Sequence, residues 1–467
     1  MWPIIPRITA RFLCFFLAGL LGGLPTGRAC AQATSGAPAP HGPDGPVELL
    51  VVQPDGGVLV AGRFAHYAGQ ARPGLARLRP DGHLDPTFVP PAEWNRRARP
   101  RALAALPGGR VAVGMAYDLA PDSAGYCFLA QLLPDGRRDP GFAPAVLPEA
   151  ELTTHRRYHE AIIGLALQPD GRLVVAGAFD WPPTEDEPRR LLRLLPNGHR
   201  DTTFQAPRYP PEHLDHLALR SDGRVAVTHC CRRLIECFRP DGRLDSSFAP
   251  RERPRVALPP GQPLSQADVA FILQTDSLPQ DWRGGIPAAL AAGPAGTLLV
   301  AGRESSGSAA AATTVLVRLL PNGRRDPTFT PVSTSADNGI SALLVRSDGG
   351  ILLAYTPYKS PNNFDPSSPL LANRSYRQAW QAALAHERAM RAQWQWLRRW
   401  LPTGLPDTTF RATGEAPNGP VRALAYLPDG RLLVGGSFTC YNGQDVPYLV
   451  CLRPDGRPDP AWSRHTR

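Results

Sequence analysis

The sequence predicts an all-β protein, a seven-bladed β-propeller built of four-stranded antiparallel blades. Two glycine-turn motifs alternate strictly along the chain, and each of them occurs seven times. Each motif places runs rich in leucine and valine on both sides of a tight turn, most often Pro-Asp-Gly or Asn-Gly, which is a strong short-range signal for a β-hairpin. Two hairpins make one sheet of four strands, A to D, and seven such sheets bury their faces by packing around an axis.

Residues 1–31 have the features of a secretory signal. Arg7 and Arg11 precede an apolar run over 12–21, and Ala29-Cys30-Ala31 supplies the small residues of a cleavage site. The apolar run is shorter than the roughly 20 residues that a membrane-spanning helix needs. We therefore expect a secreted or cell-envelope protein without a membrane span, located in the periplasm or on the outer surface.

The charge of the chain is basic but dispersed. Loss of 1–31 removes three arginines and no acid, so the formal net charge falls from +10 to +7. The arginines are spread along the chain, whereas a nucleic-acid-binding surface needs a concentrated stripe or patch. We expect no nucleic-acid partner, no cofactor and a monomer, whose partner is an extracellular or envelope protein or a glycan of unknown identity.

The repeats set the domain boundaries. A Pro/Gly-rich segment over 32–46 precedes a propeller over 47–462, and a short tail over 463–467 follows it. The turn glycine is present in all fourteen hairpins, which indicates a backbone position with φ > 0. The expected blades are 47–88, 100–142, 162–204, 214–248, 287–329, 340–410 and 421–462.

One aspartate recurs three residues after the glycine of every second motif, and an aromatic residue follows it three positions later. A catalytic or metal-binding pair is needed once and not seven times at equivalent places. We therefore expect a structural role, in which the carboxylate accepts backbone N–H groups at the start of strand D, as in an Asx-turn. The seven residues are Asp85, Asp139, Asp201, Asp245, Asp326, Asp407 and Asp459.

These motifs resemble the delta-60 repeat. The resemblance rests on the alternating blocks of the type LxPDGxLLVAG and LxRLxPDGxLDxTF, and on Gly62-Arg63-Phe64 and Tyr67-Ala68-Gly69-Gln70 between them in the first blade. Gly436-Ser437-Phe438 and Tyr441-Asn442-Gly443-Gln444 repeat this pattern in the last blade. The resemblance implies a β-propeller of bacterial exported proteins whose biochemical role is unassigned.

The long insertions predict where a ligand binds. All tight turns join strands A–B or C–D, whereas the insertions fall in the B–C and D–A connections, at the opposite face. Loops on a rigid scaffold are where binding residues collect. The B–C/D–A face is therefore the expected binding face.

Two groups of residues on that face are candidates. Histidines in adjacent loops offer a metal site or a solvated surface: His155, His159, His213 and His216. The insertion over 355–393 contains aromatic residues and arginines that form either a short capping helix or a surface for an acidic or glycan partner. Its candidate residues are Tyr358, Tyr376, Arg377 and Trp380.

The main functional hypothesis is a non-enzymatic binding module or extracellular scaffold. The alternative is a carbohydrate- or peptide-processing enzyme with its site on the variable face, although the sequence contains no catalytic motif of a known class. Charged residues begin strand A in four blades, at Glu48, Arg101, Asp215 and Arg422. We expect them to pair with one another at the mouth of the channel.

The cysteines predict disulfides within blades. Cys440 and Cys451 fall at the end of strand B and in strand C of the last blade, and facing Cβ atoms of neighbouring strands lie about 4.5–5.5 Å apart. This placement predicts a Cys440–Cys451 bridge and a bridge from Cys237 to either Cys230 or Cys231, with Cys127 unpaired. The alternative is a set of buried thiols that pack as small apolar residues.

Overall fold

The computed structural model shows an all-β chain that is rich in strand and has almost no helix. Helical turns within the described residues are short: 3-10 turns at Pro107–Gly109 and Pro294–Gly296, and helix α1 at Pro460–Ser463. The predicted signal over 1–31 and most of the segment over 32–46 lie outside the described residues. The structure describes residues 42–92, 94, 98–117, 126–142, 161–178, 190–207, 214–229, 235–248, 287–304, 313–335, 338–357, 397–410, 417–442 and 444–463.

The strands follow the repeat. Leucine-, valine- and alanine-rich runs form the extended segments, because branched side chains pack well on a pleated surface. The first half of the chain contains β1 (Val47–Val52), β2 (Val58–Gly62), β3 (His66–Tyr67), β4 (Gln70–Ala71), β5 (Leu75–Leu78), β6 (Ala98–Ala105), β7 (Val111–Tyr117), β8 (Tyr126–Leu132), β9 (Ala161–Leu167), β10 (Leu173–Ala178), β11 (Leu191–Leu194), β12 (Leu214–Leu219), β13 (Val225–His229) and β14 (Ile235–Phe238). The second half contains β15 (Pro287–Ala292), β16 (Leu298–Glu304), β17 (Thr313–Leu319), β18 (Val332–Ser335), β19 (Asn338–Val345), β20 (Ile351–Pro357), β21 (Leu397–Trp400), β22 (Val421–Tyr426), β23 (Leu432–Gly436), β24 (Cys440–Tyr441), β25 (Gln444–Asp445) and β26 (Leu449–Leu452).

The main sheets of the described residues are antiparallel. We number them 1 to 7 in chain order. Six have three strands and sheet 5 has four: β1-β2-β5, β6-β7-β8, β9-β10-β11, β12-β13-β14, β15-β16-β17-β18, β19-β20-β21 and β22-β23-β26. Two small hairpins, β3-β4 and β24-β25, are inserted between the second and third strands of sheets 1 and 7.

The prediction of four strands in every sheet is therefore not confirmed. After the second turn of sheet 1, the returning chain makes one bridge, Leu84 to Leu78, and the Asp85 N–H then donates to Arg77 O. A turn at Asp85 directs the chain away from the sheet before a ladder forms. The same bridge follows the third strand in all seven sheets, and a fourth strand forms in sheet 5, where Val332 pairs with Leu316.

Neighbouring sheets share their cores. Each first strand contacts the first strand of the next sheet, and β22 of sheet 7 contacts β1 of sheet 1. Seven hydrophobic clusters each join two consecutive sheets, and one of them joins sheet 7 to sheet 1. Burial of apolar surface between sheets thus stabilises the assembly in the way that stacked repeats require.

Candidate functional site

The recurring aspartate forms a fixed set of contacts. Asp85 accepts the N–H of Thr87 at 3.0 Å and the Thr87 hydroxyl at 2.7 Å through Oδ1, while Arg77 Nε donates to Oδ2 at 2.8 Å. In every sheet the residue two positions after the aspartate donates its N–H to Oδ1, which is an Asx-turn. The carboxylate therefore closes the turn that ends the sheet.

In sheets 3, 5 and 6 the arginine of this set joins one sheet to the next. In sheet 6, Arg399 Nε donates to Asp407 Oδ2 at 2.7 Å, Nη1 donates to Pro454 O in sheet 7 at 2.7 Å, and Cζ lies 4.8 Å from the Phe410 ring centroid. Stacking of a guanidinium on an aromatic face adds cation–π attraction. Arg193 and Arg318 make the same contacts from sheets 3 and 5, with Pro240 and Pro402 as acceptors.

Two sheets place cysteine where this arginine stands, and another arginine takes over. In sheet 7, Cys451 holds the position, and Arg431, which follows the first turn glycine, pairs with Asp459 at 3.2 Å. In sheet 4, Arg224 likewise pairs with Asp245 at 3.0 Å. Each recurrent carboxylate of sheets 4 and 7 thus keeps a cation, supplied from a neighbouring strand.

Four of the seven recurrent carboxylates have a lowered pKa and are held ionised. Burial alone raises the pKa of Asp326, but hydrogen bonds from Thr328 and the contact with Arg318 outweigh it, so the pKa lies below the usual value. The pKa values of three equivalent carboxylates shift in the same direction for the same reasons: Asp85, Asp201 and Asp407. An aspartate of this kind is a poor proton donor at neutral pH.

The inserted hairpins of sheets 1 and 7 share one anchor. Asp44 Oδ1 accepts the N–H groups of Ala65 and His66 at 2.8 and 3.0 Å. In sheet 7, Asn418 Oδ1 accepts the N–H groups of Thr439 and Cys440 at 2.8 and 3.0 Å. The sequences Asp44-Gly45-Pro46-Val47 and Asn418-Gly419-Pro420-Val421 carry this anchor and are the signal that sequence reasoning missed.

Sheet 1 adds a carboxylate–imidazole contact to the anchor. His66 Nδ1 lies 2.9 Å from Asp44 Oδ2, and the His66 side chain is half exposed. Burial alone raises the pKa of Asp44, but hydrogen bonds from His66 and Ala65 outweigh it and the pKa is lowered. The carboxylate fixes the orientation of the ring. Sheet 7 has no counterpart of this contact, because asparagine and cysteine occupy the two positions.

Two of the four charged residues that begin the first strands form contacts within their own sheets. Glu48 Oε1 lies 2.6 Å from Arg63 Nε, and Arg422 Nε donates to Ser437 Oγ at 3.0 Å. Glu48 therefore pairs with an arginine of its own sheet and not with Arg101, which is exposed. A β-bulge lies at the start of all seven first strands, where these residues stand.

One of the four candidate metal-ligating histidines lies in the part of the chain that the structure describes. His216 Nδ1 lies 3.0 Å from Thr228 Oγ1. Burial lowers the pKa of His216, although the nearby Asp215 carboxylate opposes the shift. Within the described ranges no group of three or more His, Cys, Asp or Glu side chains is arranged to hold a metal ion. His155, His159 and His213 lie outside the described residues, as do Tyr358, Tyr376, Arg377 and Trp380.

The predicted Cys440–Cys451 bridge is not formed in the structure. Cys440 lies four residues beyond the end of β23, in the inserted hairpin, where it pairs with Asp445. Cys451 pairs with Leu433 and packs in the cluster that joins sheets 7 and 1. Cys237, Cys440 and Cys451 are buried free thiols, whereas Cys230 and Cys231 lie outside the described residues.

Two cavities among the described residues lie at the tight-turn end of the first strands. One of about 540 Å³ is lined by sheets 2 to 5, including Gln168 and the buried Arg220. The other, of about 470 Å³, is lined by sheets 6, 7 and 1, including Arg346 and Tyr426. The sequence did not indicate them, because their lining comes from the regular part of the repeat.

These features define a strand-rich repeat protein of the β-propeller type. Residues 53–88, 168–204, 294–329 and 427–461 match a family model described as "Domain of unknown function (DUF5122) beta-propeller", which supports a β-propeller repeat family. The matched segments lie in sheets 1, 3, 5 and 7. The comparison with curated proteins gave no match.

Several solved structures are similar to this chain at low identity. They include virginiamycin B lyase from Staphylococcus aureus, with 13% identity, a TM-score of 0.40, and coverage of 68% of this chain and 82% of that chain. The GH74 xyloglucanase from Xanthomonas campestris has 14% identity, a TM-score of 0.47, and coverage of 90% of this chain and 56% of that chain. YCF48 bound to D1 peptide has 9% identity, a TM-score of 0.37, and coverage of 69% and 81%. Similarities of this size transfer no activity to this chain.

No helix among the described residues is long and apolar enough to span a bilayer.

Proposed function

We propose that the chain is an exported seven-bladed β-propeller that acts as a non-enzymatic binding module or extracellular scaffold. The observation that carries the proposal is the repeated contact set of the aspartate, the arginine and the aromatic residue. Because these side chains join neighbouring sheets, the most frequent polar groups of the repeat serve the fold. The rigid ring that results is a platform for loops.

The contacts between sheets support the proposed number of seven blades. In this proposal each main sheet, together with the bridge that follows it, makes one blade. The contact of β22 with β1 closes the ring by side-chain packing between complete sheets. Seven clusters at seven junctions support this count.

The ligand is held on the B–C/D–A face. On this face the hairpins of sheets 1 and 7 have exposed polar side chains, at His66, Gln70 and Gln444. Tyr67 and Tyr441 of the same hairpins are buried. The buried aromatic residues and the Asp44 and Asn418 anchors hold each hairpin in place, which lowers the entropic cost of binding. A glycan or a peptide with hydrogen-bonding groups fits such a surface.

A glycan and peptide array, probed with the chain that begins after residue 31, tests this proposal. The double variant H66A/Q70A is expected to weaken binding of any hit by about tenfold, as loss of one or two well-formed hydrogen bonds does. The matched control is His83→Ala, an exposed histidine of a tight turn on the opposite face, which is expected to leave binding unchanged.

Two results contradict the proposal. Equal weakening by H83A would contradict the assignment of the face, and turnover of a bound glycan or peptide would contradict the non-enzymatic role. Export is tested separately, by fusing residues 1–31 to a reporter and sequencing the N-terminus of the secreted product. Cleavage after Ala31 is expected, and retention of the fusion in the cytoplasm would contradict export.

A further inference from the structure

At the face opposite to the B–C/D–A connections, the outer turns of the sheets carry more arginines than aspartates. Antiparallel pairing places the turn between the first and second strands and the turn after the third strand at the same end of each sheet. We call this end the turn face. Its seven outer turns, which follow the third strands, contain four aspartates, Asp81, Asp135, Asp241 and Asp455. They contain ten arginines: Arg79, Arg137, Arg138, Arg200, Arg239, Arg243, Arg324, Arg325, Arg453 and Arg457.

The fold does not require this charge. The residue after the turn glycine is exposed and basic in six of the seven outer turns: His83, Arg137, His199, Arg243, Arg324 and Arg457. What the turn requires is its backbone N–H, which donates to the side chain two positions earlier, as in His83 to Asp81 at 3.0 Å. Asn322 accepts the Arg324 N–H equally well, at 3.1 Å, without a negative charge. Some outer-turn arginines make contacts and still remain exposed: Arg243 Nε donates to Gln205 Oε1 at 2.8 Å, and Arg137 Nε lies 2.7 Å from Asp135 Oδ2.

The same face carries the exposed large apolar side chains. Among the described residues four such side chains have a relative exposure above 40%: Val89 at 49%, Leu244 at 43%, Leu401 at 42% and Leu405 at 50%. Leu244, Leu401 and Leu405 lie in the outer turns, and the Val89 N–H donates to Asp135 O of another outer turn. In sheet 6, Leu405 takes the position that is basic in the other six sheets.

We propose that the turn face is a docking surface for a membrane that contains anionic lipids. Arginines near an anionic bilayer surface are attracted to the headgroups, and a leucine pair at a turn tip inserts between them and buries apolar area. The combination of both features distinguishes this occupant from an acidic polysaccharide or DNA, which uses the positive charge and leaves the leucines exposed.

The geometry favours simultaneous contact of many turns with one flat surface. Backbone hydrogen bonds fix neighbouring outer turns to each other, since the Gln205 N–H donates to Asp241 O and the Thr330 N–H donates to Thr403 O, both at 2.8 Å. Several weak contacts on one rigid ring add up without further loss of freedom. Docking by this face leaves the B–C/D–A face directed away from the membrane, so this proposal and the one above fail independently.

Co-sedimentation of the chain that begins after residue 31 with lipid vesicles tests the proposal. We expect binding to vesicles that contain phosphatidylglycerol, weak binding to pure phosphatidylcholine, and loss of binding as salt is added. The variant R324S/R457S is expected to lower the partition coefficient by about tenfold or more. The variant L401S/L405S is expected to lower it by about fivefold or more, through loss of buried apolar area.

The control variant is R63S/R422S, which removes the same charge from the opposite face and is expected to bind as the parent does. All three variants alter exposed side chains, so a thermal melt checks that each remains folded. Absence of binding to phosphatidylglycerol vesicles would overturn the proposal. Equal weakening of vesicle binding by the control variant would also overturn it. A third contradicting result is unchanged vesicle binding by L401S/L405S, together with an affinity for DNA or an acidic polysaccharide that equals the affinity for the vesicles.

Discussion

Trp462 of sheet 7 lies against Gly82 of sheet 1, so closely that a Cβ atom on Gly82 would fall 2.5 Å from Cζ3 of the indole. The last aromatic residue of the repeat thus packs on a turn of the first repeat. Phe204 of sheet 3 contacts Gly242 of sheet 4 in the same way, at 2.8 Å from the corresponding position. The junction between the two ends of the chain is therefore built like an internal junction.

The variant Gly82→Ala tests this closure. Gly82 has φ +92° and contact with the indole, so alanine adds left-handed strain and overpacking, for a total loss of about 2–4 kcal/mol in the free energy of unfolding. The matched control is Gly56→Ala, where φ is +83° and the nearest atom is Pro80 Cγ at 3.4 Å. The control is expected to cost about 1–2 kcal/mol from strain alone. Equal losses of the two variants in urea unfolding would show that the Trp462 contact does not stabilise the ring.

The exchange of arginine for cysteine between sheets predicts a rescue. In sheet 5, Arg318 pairs with Asp326, and Thr297 occupies the position that Arg431 holds in sheet 7. The variant Arg318→Cys leaves a buried carboxylate without its cation and is expected to destabilise the fold by about 3–5 kcal/mol. The double variant R318C/T297R recreates the arrangement of sheet 7 and is expected to recover about 1–2 kcal/mol.

A double-mutant cycle by denaturant unfolding measures this coupling. Thr297→Arg alone serves as the control, because the arginine then meets an Asp326 that is already paired. We expect T297R alone to change stability by about 0.5 kcal/mol or less, as exposed substitutions do. Additive effects of the two substitutions on the free energy of unfolding would mean that an arginine at position 297 does not replace Arg318 as the partner of Asp326.

Much of the fold can be predicted from the sequence, because the repeat shows which positions are constrained. The fourteen turn glycines all have positive φ, as a position that accepts only glycine indicates. Within the described residues a fourth strand forms in one sheet and is not confirmed in the other six, because the signature of a turn at Asp85 is also that of the start of a strand. Whether the segment after this turn pairs with the third strand depends on the direction of the chain beyond the turn, which short-range sequence patterns do not determine.

The contacts of the polar residues were harder to predict. Arg77 and Asp85 are eight residues apart, and their pairing depends on the register of two antiparallel segments. One signal of this pairing was available in the sequence. Where cysteine replaces the arginine, at Cys237 and Cys451, an arginine follows the first turn glycine of the same sheet. The position of Cys440 was misjudged because the inserted hairpin shifts it beyond the end of β23. The cavities lie among regular residues and had no sequence signal.

The pH dependence of stability follows from the aspartates of the contact set. The pKa of Asp326 is lower in the folded state than its usual value, so the unfolded state binds a proton more readily. The stabilisation is therefore present above about pH 4 and is lost as the pH falls through the folded pKa. The variant Asp326→Asn is expected to be less stable at pH 7 and to show a shallower fall between about pH 5 and pH 3.

The matched control for this measurement is Asp81→Asn, at an exposed turn position that Asn322 fills in sheet 5. Unfolding midpoints in urea across the pH range compare the two variants with the parent. We expect the control to follow the parent curve. A parallel fall of the parent and of D326N would contradict the role assigned to the Asp326 carboxylate.

The cysteines give the last prediction. Cys237 and Cys451 are buried free thiols, and burial raises their pKa to about 11 and about 12. At pH 8 the thiolate fraction of each is about 0.1% or less, and the thiolate is the reactive form. Both are expected to resist iodoacetamide in the folded protein and to react rapidly after unfolding in urea.

Sequential labelling with two isotopic forms of the reagent, before and after unfolding, followed by non-reducing peptide mapping, measures this order of reaction. A peptide that links Cys440 to Cys451 would contradict the free thiols of the structure, and rapid labelling of Cys451 in the native state would contradict the packing of sheet 7 against sheet 1.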